Sequence, residues 1–343
     1  MKKVVIHGAG GYDRLRFETH PDLTPGPGEV RVAVAYAGVN FADCVVRLGL
    51  YQSAKDFVGW PITPGFEVSG VVDAVGEGVK SPAVGDEVVA VTRFDGYASQ
   101  VVVSTERVFP IPEPLTLAEA AAFPAVHLTG WYALSMLAHP RKGEDMLVHS
   151  AAGGVGSVLT QLGKILGCRV VGVVGQSHKI PHVEALGADA VIDKSRQDLF
   201  RRAEAEAPDG YGVILDANGV ATLKASYDHL APGGRLVVYG FHTMFSRNRG
   251  KTSLPKLAWG WLRTPRFDPL AMTNDNKSVL AFNLSYLFDR NDILTDAWND
   301  LSGWLAEGRL ARPVVKVYPA ADVAETHRAL ESAGTVGKLV LAF

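Results

Sequence analysis

The pattern of apolar and polar positions changes once along the chain, near Pro112. Before that point apolar residues come in short alternating or continuous runs, at residues 4–6, 30–38, 68–75, 86–91 and 99–103. Glycine and proline punctuate them, at residues 8–11, in Pro25-Gly26-Pro27-Gly28, and at Gly76, Gly78 and Gly85. Such runs, bounded by turn residues, predict strands, and many short strands predict a compact barrel-like domain. One helix interrupts them at residues 40–50, with Asp43 in its first turn.

After Pro112 the texture is helical at residues 117–123 and 128–138. From Met146 strands at 146–148, 169–174, 190–192, 213–217 and 235–240 alternate with helices after the turn at 151–156 and at 180–186, 197–207 and 221–230. This alternation predicts a parallel sheet with helices on both faces. Residues 243–277 interrupt it; a sixth strand is expected at 279–284. A helix at 294–307, a strand at 314–318, a helix at 320–332 and a strand at 338–341 close the chain.

Length and charge narrow the class. The chain of 343 residues is long for one core, so two domains are expected. A formal net charge of -2 gives no general affinity for polyanions, so no nucleic-acid partner is expected. Cys44 and Cys168 are the only cysteines, too few for a zinc-ribbon cluster or a disulfide framework, and a cytoplasmic protein is the natural reading. The N-terminal apolar stretch is too short for a signal peptide, and no apolar run reaches the roughly 18–20 residues of a membrane span.

The chemistry begins in the stretch Asp145–Gly156. A strand breaks into Ala151-Ala152-Gly153-Gly154-Val155-Gly156, and a helix-spaced pattern follows. This is a dinucleotide fingerprint with Ala151 in place of the first glycine. Glycines let the backbone approach a pyrophosphate, and a helix N-terminus offers free N–H groups. The second strand then runs into Gly175-Gln176-Ser177-His178-Lys179, with no acid to hold a ribose 2′-hydroxyl. Ser177 and Lys179 can instead donate to a 2′-phosphate, which points to NADPH. The alternative for Lys179 is a solvated lysine at a helix start.

Further motifs sit at fixed order around this turn: Ala37-Gly38-Val39-Asn40-Phe41-Ala42-Asp43, Pro64-Gly65-Phe66-Glu67 with Gly70 and Val71, Val75-Gly76-Glu77-Gly78-Val79, Gly85-Asp86-Glu87-Val88, and Gln161-Leu162. With them the whole chain resembles the medium-chain dehydrogenase/reductase superfamily, in its zinc-free quinone oxidoreductase branch. Residues 281–287 and the basic, tryptophan-bearing stretch before them are most similar to the vesicle amine transport protein homologues. The resemblance implies an α/β protein. A GroES-like substrate domain would comprise residues 1–124 plus 286–343, and a Rossmann NADPH-binding domain residues 125–285. Zinc members carry Cys where Asn40 stands and His where Phe66 stands, so no metal is expected.

By the same resemblance Asn40 and Thr129 lie near the nicotinamide, although Thr129 could equally cap its helix. Ala152, Gly153, Gly154, Val155 and Gly156 lie under the pyrophosphate. Gly175, Ser177, Lys179 and Lys194 surround the adenosine phosphate; Lys194 stands near where related reductases carry a Tyr. Asn218, Tyr239, Gly240, Phe241, Phe282, Asn283, Leu284 and Lys338 border the coenzyme. Tyr51 matches a proton-donating Tyr of related enoyl reductases; the other reading is that it only lines the cleft. Asp43 is read as a helix cap, Glu67 as a loop anchor, Cys44 as a packed residue and Asp216 as a partner of loop backbone. His7, His127, His149 and His242 are read as packed or surface residues.

Three readings stand for residues 243–277: a lid or cleft wall, which is favoured, a membrane-surface patch, or plain surface. The strand at 279–284 is an apolar edge that needs covering, and the resemblance implies that it pairs across a two-fold in a homodimer. The expected activity is hydride transfer from NADPH to a quinone or other α,β-unsaturated carbonyl, with Tyr51 and Asn40 as catalytic residues. The alternative is an NADPH-binding protein that acts mainly on lipids or membrane partners, with little turnover.

Overall fold

The computed structural model describes residues 1–244 and 253–343. Arg247, Arg249 and Lys251 of the basic stretch lie outside the described residues.

Six parallel strands form one sheet, in the spatial order Ala190–Asp193, Arg169–Val174, Asp145–Val148, Tyr211–Asp216, Leu230–Val238 and Ser278–Ala281. Met146, Leu147 and Val148 have no exposed surface, as a strand covered on both faces requires. The strand order reverses between Asp145–Val148 and Tyr211–Asp216. Beyond the carboxyl ends of these strands lies the crevice where doubly wound sheets bind ligands.

Within this sheet two strands differ from expectation. The fifth strand starts at Leu230, not at residue 235, because Leu230 already pairs with Tyr211 and a register irregularity absorbs Pro232–Gly234. The sixth strand stops at Ala281, because Asn283 accepts a hydrogen bond from the Ser285 N–H and starts a short 3-10 turn, Leu284–Tyr286.

The second sheet has seven strands. Glu29–Val39 lies at its centre, paired with Glu67–Val75, Gln100–Ser104 and Lys338–Ala342. Glu87–Val91 and Val108–Pro110 extend one side, and Val315–Pro319 the other. The end of the chain therefore returns to the sheet built by its beginning, which sets Lys338 beside Val39. A helix from Pro124 to Trp131 packs so tightly on the helix Gly154–Ile165 that a methyl group on Gly130 would come within 2.8 Å of Val158.

Candidate active site

A cavity of about 980 Å³ opens at the carboxyl ends of the parallel strands and is walled by elements of both sheets. Ala152, Gly153, Gly154, Val155 and Gly156 form one wall. Ser150, in a left-handed conformation (φ 54°), turns the chain, and Gly153 precedes the first helical residue. A Cβ on Gly156 would lie 2.2 Å from the Ser150 carbonyl oxygen, so any side chain there forces the turn to shift. Ala151 is fully buried, and its N–H donates to Val173 O at 2.9 Å. Its methyl fills the space left by Gly172 on the neighbouring strand, which explains an alanine in the first motif position.

The opposite wall is a side-chain network. Lys338 is buried, and its three N–H groups go to Val39 O (2.9 Å), Asn40 Oδ1 (2.7 Å) and Glu67 Oε1 (2.5 Å). Glu67 Oε1 also accepts from Asn40 Nδ2 at 2.9 Å, and Oε2 from the Ala125 N–H at 2.6 Å. An ammonium can meet only the amide oxygen and a carboxylate only the amide nitrogen, so the Asn40 amide has one orientation. One N–H of that amide is left uncommitted on the cavity wall. Lys338 lines the cavity, but its donors are saturated by protein, so a hydrogen bond from it to a coenzyme does not fit.

Asp43 supports this wall from behind. Its carboxylate accepts from the N–H groups of Asn40 (2.8 Å) and Gly65 (2.9 Å) and from the Tyr97 hydroxyl (2.9 Å). Burial pushes its pKa up to about 7 against the pull of these three donors. It is not part of the cavity lining. Thr129 sits inside its helix and donates to Ala125 O at 2.6 Å, so the capping alternative fails; its side of the helix faces the cavity.

Tyr51 precedes the helix Gln52–Phe57 and lines the cavity. Its hydroxyl is 2.9 Å from Asn283 Oδ1 and 3.4 Å from Ser285 Oγ. Phe66 and Phe94 meet its ring edge-on. Burial raises the phenol pKa, while Ser285, Asn283 and Ser53 lower it.

Gly175, Lys179, Lys194, Tyr239, Gly240, Phe241, Phe282, Asn283 and Leu284 also line the cavity, whereas Ser177 and Asn218 do not. Ser177 Oγ donates to Asp193 Oδ2 at 2.5 Å, and Asp193 further accepts from the N–H and hydroxyl of Ser195. A carboxylate therefore does stand beside this loop. It comes from the end of the adjacent strand, where Asp193 pairs with Val174, and inspection of the second strand alone misses it. The hydroxyl bonds hold its pKa below the usual range. Lys179 is buried, not solvated. Its Nζ donates to Ala333 O and Thr335 O, both at 2.8 Å, and ties the loop to the C-terminal segment. Asn218 is drawn inward because Asp216 Oδ1 accepts from the N–H groups of Asn218 (2.7 Å) and Gly219 (3.1 Å); its Oδ1 then receives the Ser150 hydroxyl from below the turn.

His127 and His149 are fully buried, His242 bonds Ala217 O, and His7 pairs with Glu18 at the surface. In the inserted stretch, Leu257 of the helix Leu254–Arg263 and Met244 reach the cavity, as the favoured reading of a cleft wall expects, although neither residue was singled out in the sequence. Leu254, Trp261 and Leu262 of the same helix are 74%, 67% and 68% exposed.

Residues 26–113 match the alcohol dehydrogenase GroES-like domain, and residues 186–341 match the zinc-binding dehydrogenase family. The human synaptic vesicle membrane protein VAT-1 homolog is 31% identical over 349 residues, covering 99% of this chain and 86% of that protein. The chain belongs to the medium-chain dehydrogenase/reductase superfamily. It is an oxidoreductase of that superfamily, with a GroES-like domain and a Rossmann-like parallel sheet. The Escherichia coli quinone oxidoreductase complexed with NADPH superposes with a TM-score of 0.86 at 27% identity, over 100% of both chains. The CurK enoyl reductase gives a TM-score of 0.85 at 26% identity, over 99% of this chain and 98% of that one.

The residues do not fit a catalytic zinc. Among the described residues, no group of three or more His, Cys, Asp or Glu side chains could hold a metal. Phe66 is apolar, the Asn40 oxygen is bound to Lys338, and Glu67 already receives three donors. No described helix is long and apolar enough to cross a membrane.

Proposed function

We propose that this protein is a metal-independent, NADPH-dependent reductase of quinones or other α,β-unsaturated carbonyls. The observation that carries the proposal is the single cavity that joins a glycine turn at a helix N-terminus to the locked Asn40 amide and the buried Tyr51 phenol. The turn and its helix N-terminus fit a pyrophosphate. Lys179 and Lys194 border the adenosine end, with Asp193 held by Ser177 and Ser195. The NADPH-bound state of the Escherichia coli relative supports the same coenzyme here. The reduced nicotinamide supplies a hydride.

The remaining chemistry belongs to side chains. The uncommitted N–H of Asn40 fixes a carboxamide or carbonyl oxygen, with Thr129 on the same wall. In an enone, hydride addition at the β-carbon leaves an enolate. Tyr51 then gives its proton to the α-carbon: the O–H bond breaks, a C–H bond forms, and the phenolate regains a proton from water when product leaves. A reduced quinone takes its proton from water directly.

Residues 1–124 with 286–343 act as the substrate domain in this reading, and residues 125–285 as the coenzyme domain. The protein works as a cytoplasmic homodimer, joined through the strand Ser278–Ala281, which ends the parallel sheet. A second reading, a coenzyme-binding protein acting on lipids or a membrane partner, draws support from the exposed Leu254, Trp261 and Leu262 and from relatives named as vesicle membrane proteins. NADPH consumption with a panel of quinones and enones separates the two. Turnover with at least one acceptor, with a higher kcat/KM for NADPH than for NADH, is expected. Coenzyme binding without turnover on any acceptor overturns the reductase reading.

A further inference from the structure

Behind Tyr51 lies a hydroxyl pair that the proposed reaction leaves unused. Ser285 is 2% exposed and Ser53 is fully buried. Their oxygens are 2.8 Å apart, and Ser285 Oγ is also 2.8 Å from Asn283 Oδ1. Asn283 Oδ1 accepts the Ser285 N–H as well, at 3.1 Å. An amide oxygen has two good acceptor directions. One is taken by that N–H, so the Tyr51 hydroxyl and the Ser285 hydroxyl compete for the other.

The competition defines two arrangements of the same atoms. In the first, Tyr51 donates to Asn283 and Ser285 donates to Ser53. The phenol proton is then held away from substrate. In the second, Ser285 donates to Asn283, Ser53 donates to Ser285, and the Tyr51 proton is released toward the cavity. No heavy atom needs to move between them, only hydroxyl rotors. Once Tyr51 has lost its proton, Ser285 can turn its O–H toward the phenolate while Ser53 remains bonded to Ser285, and the 3.4 Å between the Tyr51 and Ser285 oxygens then closes to the under about 3 Å of a charge-assisted bond. A buried phenolate without such donors would be costly.

We infer that Ser285 and Ser53 are positioning residues for Tyr51, which switch its proton between a held and a released state and stabilise the phenolate after transfer. This rests on the reading of Tyr51 as proton donor. Protons move only by rotation within the pair; the proton delivered to substrate is that of Tyr51, and its replacement comes from solvent.

The test compares Ser285→Ala, Ser285→Thr, Ser53→Ala and Tyr51→Phe in enone reduction with NADPH. Loss of one charge-assisted hydrogen bond corresponds to a roughly tenfold effect. Ser285→Ala is expected to lower kcat for the enone by about that factor with KM unchanged, and to enlarge the solvent deuterium isotope effect on kcat. Ser53→Ala should do the same to a smaller degree, and Ser285→Thr should restore the rate. An unchanged kcat and isotope effect in Ser285→Ala, alongside a Tyr51→Phe variant that has lost enone reduction, overturns the switch and leaves Tyr51 as the acid. If Tyr51→Phe reduces the enone normally, both the assignment of Tyr51 and the switch fall.

Discussion

The two walls of the cavity are built on different physics. The glycine-turn wall is local: residues 148–156 make it from backbone groups, and its tolerances are set by carbonyls as close as Ser150 O to Gly156. The facing wall is non-local. Lys338 reaches Asn40 and Glu67 across 298 and 271 positions of sequence, and Tyr51 reaches Asn283 across 232. The first wall can receive a ligand because the first N–H groups of the helix Gly154–Ile165 have no partner within the helix. The second receives little directly, because its charges are matched inside the protein, and it acts through the few groups left over.

That difference can be broken from either side. Replacing Lys338 by Met leaves Glu67 buried without its cation, and the expected loss of stability is about 3–5 kcal/mol in denaturant unfolding. Lys338→Met combined with Glu67→Gln should recover part of it, since the unpaired charge is gone; no recovery would mean that the wall is not held by charge matching. Gly156→Ala is expected to cost less stability, about 1–3 kcal/mol, because the turn must shift to admit a methyl group. Its main effect should be weakened NADPH binding, measured by calorimetry, with the Asn40–Lys338 wall intact. A smaller effect comes from histidines outside both walls. Burial drives the pKa of His127 down to about 3 and lowers those of His149 and His327. A depressed histidine keeps the native state neutral while the unfolded state takes up protons, so stability is lost as pH falls below the unfolded value. For His127 this amounts to about 1.4 kcal/mol between about pH 7.5 and about pH 5.5. His127→Asn should flatten the pH dependence of unfolding by that amount.

The same division explains what could be read from the chain. The alternation of strands and helices and the turn at 151–156 are local signals, and the parallel sheet follows them closely. Pro232-Gly233-Gly234 misled because a register irregularity can carry turn residues inside a strand. Asp43 was legible as a cap because its bond to the Asn40 N–H spans three residues, whereas Glu67, read as an anchor of the adjoining loop, instead binds Asn40, Ala125 and Lys338 across the fold. The pairing of Lys338 with Glu67 was not legible, since only the return of the last strand to Val39 brings them together. Asp193 escaped for the same reason: its neighbour is across the sheet, not along the chain. Ser285 carried a readable signal, an Asn two residues before a Ser, the spacing of an Asx turn.

The most direct test of hydride transfer through this cavity uses NADPH deuterated at C4 with an enone acceptor, and locates the label in the product by mass spectrometry and NMR. The expected product carries one deuterium at the β-carbon and a solvent-derived hydrogen at the α-carbon. Oxidised coenzyme with no deuterium in the product, or no consumption of NADPH with any acceptor, would contradict it.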